Sequence, residues 1–223
     1  MRRIALYGGT FDPVHEGHTA VAHGLSKFFA LDEILFIPAY VAPHKRGAGV
    51  TPALHRYAML ALATQVEPRF RISTIELDAP EKPYTFETLP RVRESVGSDA
   101  QLFFVMGADS WMEITSWREW ERVLALSNHI VVARPGYELG REHVPPVIRE
   151  RIVDLRGMGT EGAAREIGRS DGLKIYLTDA VNMDVSATMI RRAVRAGRDS
   201  DWLSLVSPQV ANYIRKYGLY KEV

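Results

Sequence analysis

No cysteine occurs among the 223 residues. Its absence removes thiolate catalysis, cysteine-based zinc sites and disulfide stapling together, and it suits a reducing compartment. No apolar run approaches the ~20 residues that a membrane span needs. Met1-Arg2-Arg3 has the charge of a signal n-region, but Ile4-Ala5-Leu6-Tyr7 meets Gly8-Gly9 at once, leaving no hydrophobic stretch of signal length. A charge excess is missing too: 28 Lys+Arg against 27 Asp+Glu give a net charge of +1. No global field therefore draws the chain to nucleic acid or to an anionic membrane, and any anion binding has to be local. Internal repeats and low-complexity segments are also absent. What is present is an ordinary globular balance, 46% apolar and 25% charged. At this length folding should remove roughly 70–75% of the unfolded surface from water, enough for one sizeable core. The expectation is a soluble, cytoplasmic protein with one domain over 1–223; two small domains are the alternative.

Short β-prone runs alternate with segments of helical period. Arg3 to Tyr7 reads as a buried strand stopped by a glycine pair, and Val21, Leu25 and Phe28 or Phe29 recur at helical spacing after it. Glu33 to Ile37 reads as a second strand closed by Pro38. Thr51-Pro52 has the form of a helix start, with Leu54, Ala58, Leu62 and Val66 as the apolar face. Further strands are expected at Phe70 to Leu77, Gln101 to Met106, His129 to Ala133 and Leu173 to Leu177. Helices are expected at Thr85 to Val96, Trp117 to Leu126, Thr188 to Ala196, and from Ser207-Pro208 to Gly218. Residues 137–172, broken by Pro145-Pro146 and by Gly157 and Gly159, read as a mobile insertion with one helix near Val147 to Leu155; a C-terminal helical part begins near 186. The alternation predicts an α/β fold, a doubly wound, Rossmann-like, mostly parallel sheet with helices on both faces. In that architecture ligands sit at the carboxyl ends of the strands, near the switch in strand order.

The strongest chemical signal is Gly8-Gly9-Thr10-Phe11-Asp12-Pro13-Val14-His15-Glu16-Gly17-His18, between the first strand and the first helix. The glycine pair lets backbone N–H groups approach an anion, the helix N-terminus adds positive potential, and two imidazoles three residues apart share one face. That combination makes a phosphate site. It is neither a Walker A loop nor a GxGxxG dinucleotide turn. An isolated HxxH would more often be a metal pair or polar helix-start residues; the whole string is far more specific. Far along the chain, Val185-Ser186-Ala187-Thr188-Met189-Ile190-Arg191 sets hydroxyls and a guanidinium at a helix start, suited to a polyphosphate and equally readable as a plain N-cap with a surface arginine.

The first string resembles the HxGH signature of the nucleotidylyltransferase superfamily, with His15 and His18 at its histidines, and the second resembles the superfamily's ISSTxIR motif, with Ala187 replacing the second serine. Intermediate segments resemble those of bacterial nicotinate-mononucleotide adenylyltransferases. Pro38 to Lys45 is similar to the PxxxPHK loop. Pro83-Tyr84-Thr85-Phe86-Glu87-Thr88-Leu89 is similar to SYTxDTL, with Pro83 and Glu87 as departures. Gly107-Ala108-Asp109 matches GxD, Trp117 matches an aromatic that stacks on the pyridine ring, and Arg134-Pro135-Gly136 matches RPG. The resemblance spans nearly the whole chain, with 137–172 the main unmatched stretch.

It implies adenylyl transfer from ATP to nicotinate mononucleotide, giving nicotinate adenine dinucleotide and pyrophosphate in NAD biosynthesis. Under it His15, His18, Lys45 and Arg191 are the catalytic residues. Gly8, Gly9, Thr10, Phe11, His18, Gly107, Asp109, Arg134, Ser186, Thr188 and Arg191 hold ATP. Thr10, His15, Lys45, Tyr84, Thr85 and Trp117 hold the mononucleotide. Mg²⁺ travels with ATP, mainly on phosphate oxygens and water, so no protein carboxylate cage is expected. No nucleic-acid or membrane partner is expected; homo-oligomerisation stays open. His44, His55, Arg56 and His129 read as structural or solvated. Phosphopantetheine adenylyltransferase shares the first and last motifs but not the PHK, YTxxTL and RPG segments. Nicotinamide mononucleotide as acceptor, a nucleotide sensor without turnover, and a class I aminoacyl-tRNA synthetase are the other readings; for the last, 223 residues leave little room for a tRNA-binding domain.

Overall fold

A computed structural model of the chain describes residues 1–40, 49–79, 81, 83–134, 136, 139–181, 183 and 185–221. Strand β1 (Arg2–Gly9) leads into helix α1 (Glu16–Phe28), then β2 (Glu33–Pro38), α2 (Ala53–Thr64) and β3 (Phe70–Ile72). The chain continues through α3 (Thr85–Val96), β4 (Ala100–Gly107), the short α4 (Ala108–Met112), α5 (Trp120–Leu126) and β5 (Asn128–Val132). It ends with α6 (Pro146–Arg149), β6 (Ile152–Asp154), α7 (Thr160–Arg169), β7 (Ile175–Thr178), α8 (Ala187–Arg195) and α9 (Pro208–Lys216).

The strands form one sheet in the order β3-β2-β1-β4-β5-β7-β6, every pair parallel. Both faces are covered. Ala5, Phe36, Phe103 and Tyr176 face a core shared with α1, α7, α8 and α9, while Ile4, Leu6, Leu35 and Leu102 face one shared with α3, α4 and α5. Alternation within each strand divides its apolar side chains between the two cores, which is why the strands read as continuous apolar runs. The expected doubly wound sheet is therefore present. From β1 the chain winds one way to β2 and β3 and then crosses to β4 and on to β5. The switch in strand order falls between β1 and β4, and in doubly wound sheets ligands sit at the carboxyl ends of the strands beside that switch. Gly8-Gly9 and Gly107 stand there.

Several elements differ from the periodicity reading. The third strand stops at Ile72, because Asp78 N donates to the Thr74 carbonyl at 2.8 Å and closes a turn. Leu54 and Val66 are 79% and 83% exposed, and α2 instead buries Arg56, Met59, Leu60 and Thr64. Trp117 precedes α5 and follows a 3-10 turn at Ile114–Ser116. Within 137–172 only one turn of helix forms near Val147, and the segment adds β6 at the sheet edge and α7 packed on α1. Among the described residues no helix is long and apolar enough to cross a membrane.

Candidate active site

The loop after β1 is built around the Phe11 ring. Phe11 is 2% exposed and packs against Tyr7, His18 and Phe36, with ring centroids 5.7, 4.9 and 5.7 Å away. Its φ of 49° lies in the left-handed region, held by that packing. A Cβ on Gly9 would lie 2.9 Å from the Phe11 ring, so glycine is required for the chain to fold over it. At the start of α1 the imidazoles of His15 and His18 stack, centroids 3.7 Å apart, and His18 Nδ1 accepts the His15 N–H at 3.2 Å. Gly17 is as constrained as Gly9: a Cβ there would sit 3.0 Å from Cε1 and Nδ1 of His15. The glycine between the histidines is the space into which the first of them folds.

Electrostatics at this corner are set by burial. His15 is 7% exposed, and desolvation, reinforced by the nearby Arg134 guanidinium, holds its imidazole down at about 4. At neutral pH it is therefore an uncharged ring beside a permanent cation. Arg134 reaches this corner from the carboxyl end of β5. Asp109, at the start of α4, lies close enough to Tyr7 to help burial push its phenol up. The Asp109 carboxylate also folds back over Gly107, where a Cβ would meet its Oδ1 at 2.6 Å.

Helix α8, from the far end of the sequence, meets the loop after β1. Ser186 caps it, its Oγ accepting from Met189 N at 3.2 Å, and Val185 packs 3.5 Å from a Cβ position on Gly17. Arg191 Nη1 donates to the Asp12 carbonyl at 2.7 Å, and Nη2 donates to Thr188 Oγ1 at 3.2 Å. On the opposite side of β1, the Phe104 ring lies 3.8 Å from a Cβ position on Gly8 and meets the half-buried Trp117 edge-on, centroids 6.3 Å apart. Arg118, next to Trp117, sets its guanidinium 4.9 Å above the Tyr84 ring at the N-terminus of α3. Thr88 in that helix donates to Glu76 at 2.9 Å, and burial raises the Glu76 carboxyl above its ordinary range.

A family model for cytidylyltransferase-like proteins matches residues 6–193. A relative in Thermoanaerobacter sp. (strain X514), named "Probable nicotinate-nucleotide adenylyltransferase", is 36% identical over 220 residues, covering 99% of this chain and 95% of its own. A relative of the same name in Thermus thermophilus is 36% identical over 219 residues, covering 98% and 100%. The chain belongs to the nicotinate-nucleotide adenylyltransferases of the cytidylyltransferase-like family. Its fold matches the nicotinic acid mononucleotide adenylyltransferase of Plasmodium falciparum, solved in complex with NaAD, with a TM-score of 0.73 at 21% identity over 99% of this chain and 98% of that one.

Most of the residues expected from the nicotinate-nucleotide adenylyltransferase resemblance gather at the loop after β1. Gly8, Gly9, Thr10, Phe11, His15 and His18 belong to the end of β1, its loop and the start of α1; Asp109 bears on Tyr7 and Arg134 on His15, while Arg191, bonded to Thr188, ties α8 back to Asp12. Tyr84, Thr85 and Trp117 line a separate flank beyond Phe104. Lys45 lies outside the described residues, as does Pro135. Sequence reasoning gave no role to Arg56 beyond a structural one, and the structure makes that role large. Arg56 is 1% exposed and donates to the carbonyls of Thr51, Thr10 and Tyr40 at 2.9, 2.7 and 3.1 Å. Its signal was available: the one charged residue of α2, an arginine standing one turn before Met59 and Leu60.

Proposed function

We propose that this chain transfers the adenylyl group of ATP to nicotinate mononucleotide, releasing pyrophosphate and forming nicotinate adenine dinucleotide for NAD biosynthesis. One observation carries the reading: the glycine-edged loop, the stacked His15–His18 pair and Arg191 meet where the strand order switches between β1 and β4. In the reaction a phosphate oxygen of the mononucleotide forms a bond to the α-phosphorus of ATP, and the bond from that phosphorus to the bridging oxygen breaks toward pyrophosphate. The nucleophile is already an anion, so positioning and charge neutralisation suffice. His15 and His18 contact the α- and β-phosphates. The neutral His15 ring donates a hydrogen bond on arrival of the substrate, whose negative charge offsets the depressing effect of Arg134. Ser186, Thr188 and Arg191 hold the β- and γ-phosphates, and Lys45 bridges the two substrates. Trp117, Tyr84 and Thr85 take the pyridine end.

Among the described residues no group of three or more His, Asp or Glu side chains could hold a metal ion. Imidazoles, guanidiniums, hydroxyls and backbone N–H donors around the loop suit the phosphates, and the Asp12 carboxylate is taken up by Thr51 and Tyr220, so in this reading Mg²⁺ is carried in on the phosphate oxygens of ATP. The reaction runs in the cytoplasm. The test is pyrophosphate release from Mg·ATP with nicotinate mononucleotide and nicotinamide mononucleotide offered separately. Release with the acid is expected, and His18→Ala should lower kcat at least ~10²-fold, the scale of one lost charge-stabilising donor. No release with either acceptor would overturn the reading.

A further inference from the structure

Three distant segments converge on Asp12, a residue only 4% exposed that directly follows Phe11 in the nucleotide loop. Asp12 Oδ2 accepts the Thr51 N–H at 3.2 Å, and Oδ1 accepts the Tyr220 hydroxyl at 2.8 Å. The Asp12 backbone carbonyl accepts from Arg191, whose other amino group donates to Thr188. Among the described residues these are the two groups the guanidinium donates to, which aim it and leave three of its five N–H donors for phosphate oxygens.

Tyr220 reaches Asp12 from beyond α9. That helix packs on α2, where His55 Nδ1 lies 3.0 Å from the Tyr213 hydroxyl. The chain then turns through Gly218 (φ 62°) and Tyr220 (φ 66°), with Leu219 N donating to the Ile214 carbonyl at 3.0 Å. A tyrosine holds a left-handed φ only where its surroundings impose it. Burial and the adjacent Asp12 push its phenol up, so it stays a protonated donor. The electrostatic need is plain: a buried carboxylate beside a polyphosphate site repels its substrate unless its lone pairs and charge are answered. Tyr220, Thr51 and the nearby Arg56 answer them.

We propose that Tyr220 is a positioning residue of the nucleotide site, acting through Asp12 to set the Arg191 guanidinium for the β- and γ-phosphates of ATP. This rests on the ATP reading of the loop given above. The test is calorimetric binding of Mg·ATP and of AMP, which lacks those two phosphates, with no acceptor present. Tyr220→Phe keeps the ring and deletes the hydroxyl. Expected is a loss of about 10-fold in ATP affinity with AMP affinity held within about 2-fold, the scale of one hydrogen bond to a charged group. Tyr217→Phe, an exposed neighbour on the same segment, should leave both affinities unchanged. Asp12→Ala, which removes the acceptor, should reproduce the ATP-selective loss, and the double variant should lose no more than the worse single one. Equal weakening of both nucleotides by Tyr220→Phe, unchanged ATP affinity, or additive losses in the double variant would each overturn the proposal. A wild-type chain that binds neither nucleotide would overturn the ATP reading itself and the proposal with it.

Discussion

Gly17 shows how one missing methyl group makes room for the His15 ring. It is buried in the first turn of α1, where alanine would ordinarily stabilise a helix by roughly 0.5–1 kcal/mol. A Cβ there would press on the His15 ring at 3.0 Å, closer than ordinary van der Waals contact. The ring cannot retreat easily, because it is stacked on His18, which in turn packs on Phe11. Gly17→Ala should therefore separate stability from activity. The helix gain and the clash oppose each other, so the melting temperature is expected to stay level or fall slightly while kcat for pyrophosphate release falls about 10-fold, a cost typical of displacing one group from its productive geometry. Wild-type kcat in the folded variant would show that His15 tolerates the shift and that the glycine serves packing alone.

At the scale of elements, Arg56 joins parts of the chain that would otherwise separate. It sits in α2, but its guanidinium caps carbonyls in the loop after β1, at Tyr40 beyond β2, and at Thr51 before α2 itself. Burial lowers its pKa and Asp12 opposes that effect, which marks a buried cation whose charge is answered at close range. Arg56→Met would leave three carbonyls without their donor and remove a buried cation near Asp12, and should cost about 3–5 kcal/mol, read from the urea midpoint. A cost under ~1 kcal/mol would mean that the carbonyls find other partners. The same residue explains why the face of α2 was misjudged from the sequence. An apolar stripe through Leu54 and Val66 fits helical period, whereas the face actually buried carries an arginine that only distant carbonyls make tolerable. Strand β6 and helix α7 were missed for a related reason. Three strand residues at a sheet edge between glycines and prolines carry too little period to be seen, and their place is set by pairing with β7. The loop after β1 and the start of α8 were legible because their chemistry is local: glycines, histidines, hydroxyls and a cap within a few positions. The Tyr220–Asp12 contact joins residues 208 positions apart, and no window along the chain contains it.

For the whole molecule, the buried histidines make folding stability depend on pH. The doubly wound sheet was legible because alternating strands and helices leave few other topologies, yet that topology also carries imidazoles into places where they cannot charge. His129 enters the core on β5, fully buried against Phe104, with ring centroids 5.8 Å apart. Burial, with the Arg151 guanidinium nearby, pushes it down to about 3, and His15 lies at about 4, both from an ordinary value of 6.5. In each case the unfolded chain binds the proton more readily than the fold does. Stability from these two groups is therefore complete above pH 6.5 and is lost as pH falls from there toward their folded values. Each contributes a slope approaching ~1.4 kcal/mol per pH unit in that window. Glu76, raised by burial, acts in the opposite sense above its ordinary pKa, because the fold favours its neutral form. The histidines outnumber it, so urea midpoints should fall between about pH 6.5 and about pH 4.5. His129→Phe should keep stability at about pH 7 and flatten that fall by at least about half, since one of two proton-linked histidines is gone while Glu76 still opposes the other. A variant whose midpoints track the wild type across the whole window would mean that His129 takes up its proton in the folded state as readily as in the unfolded one.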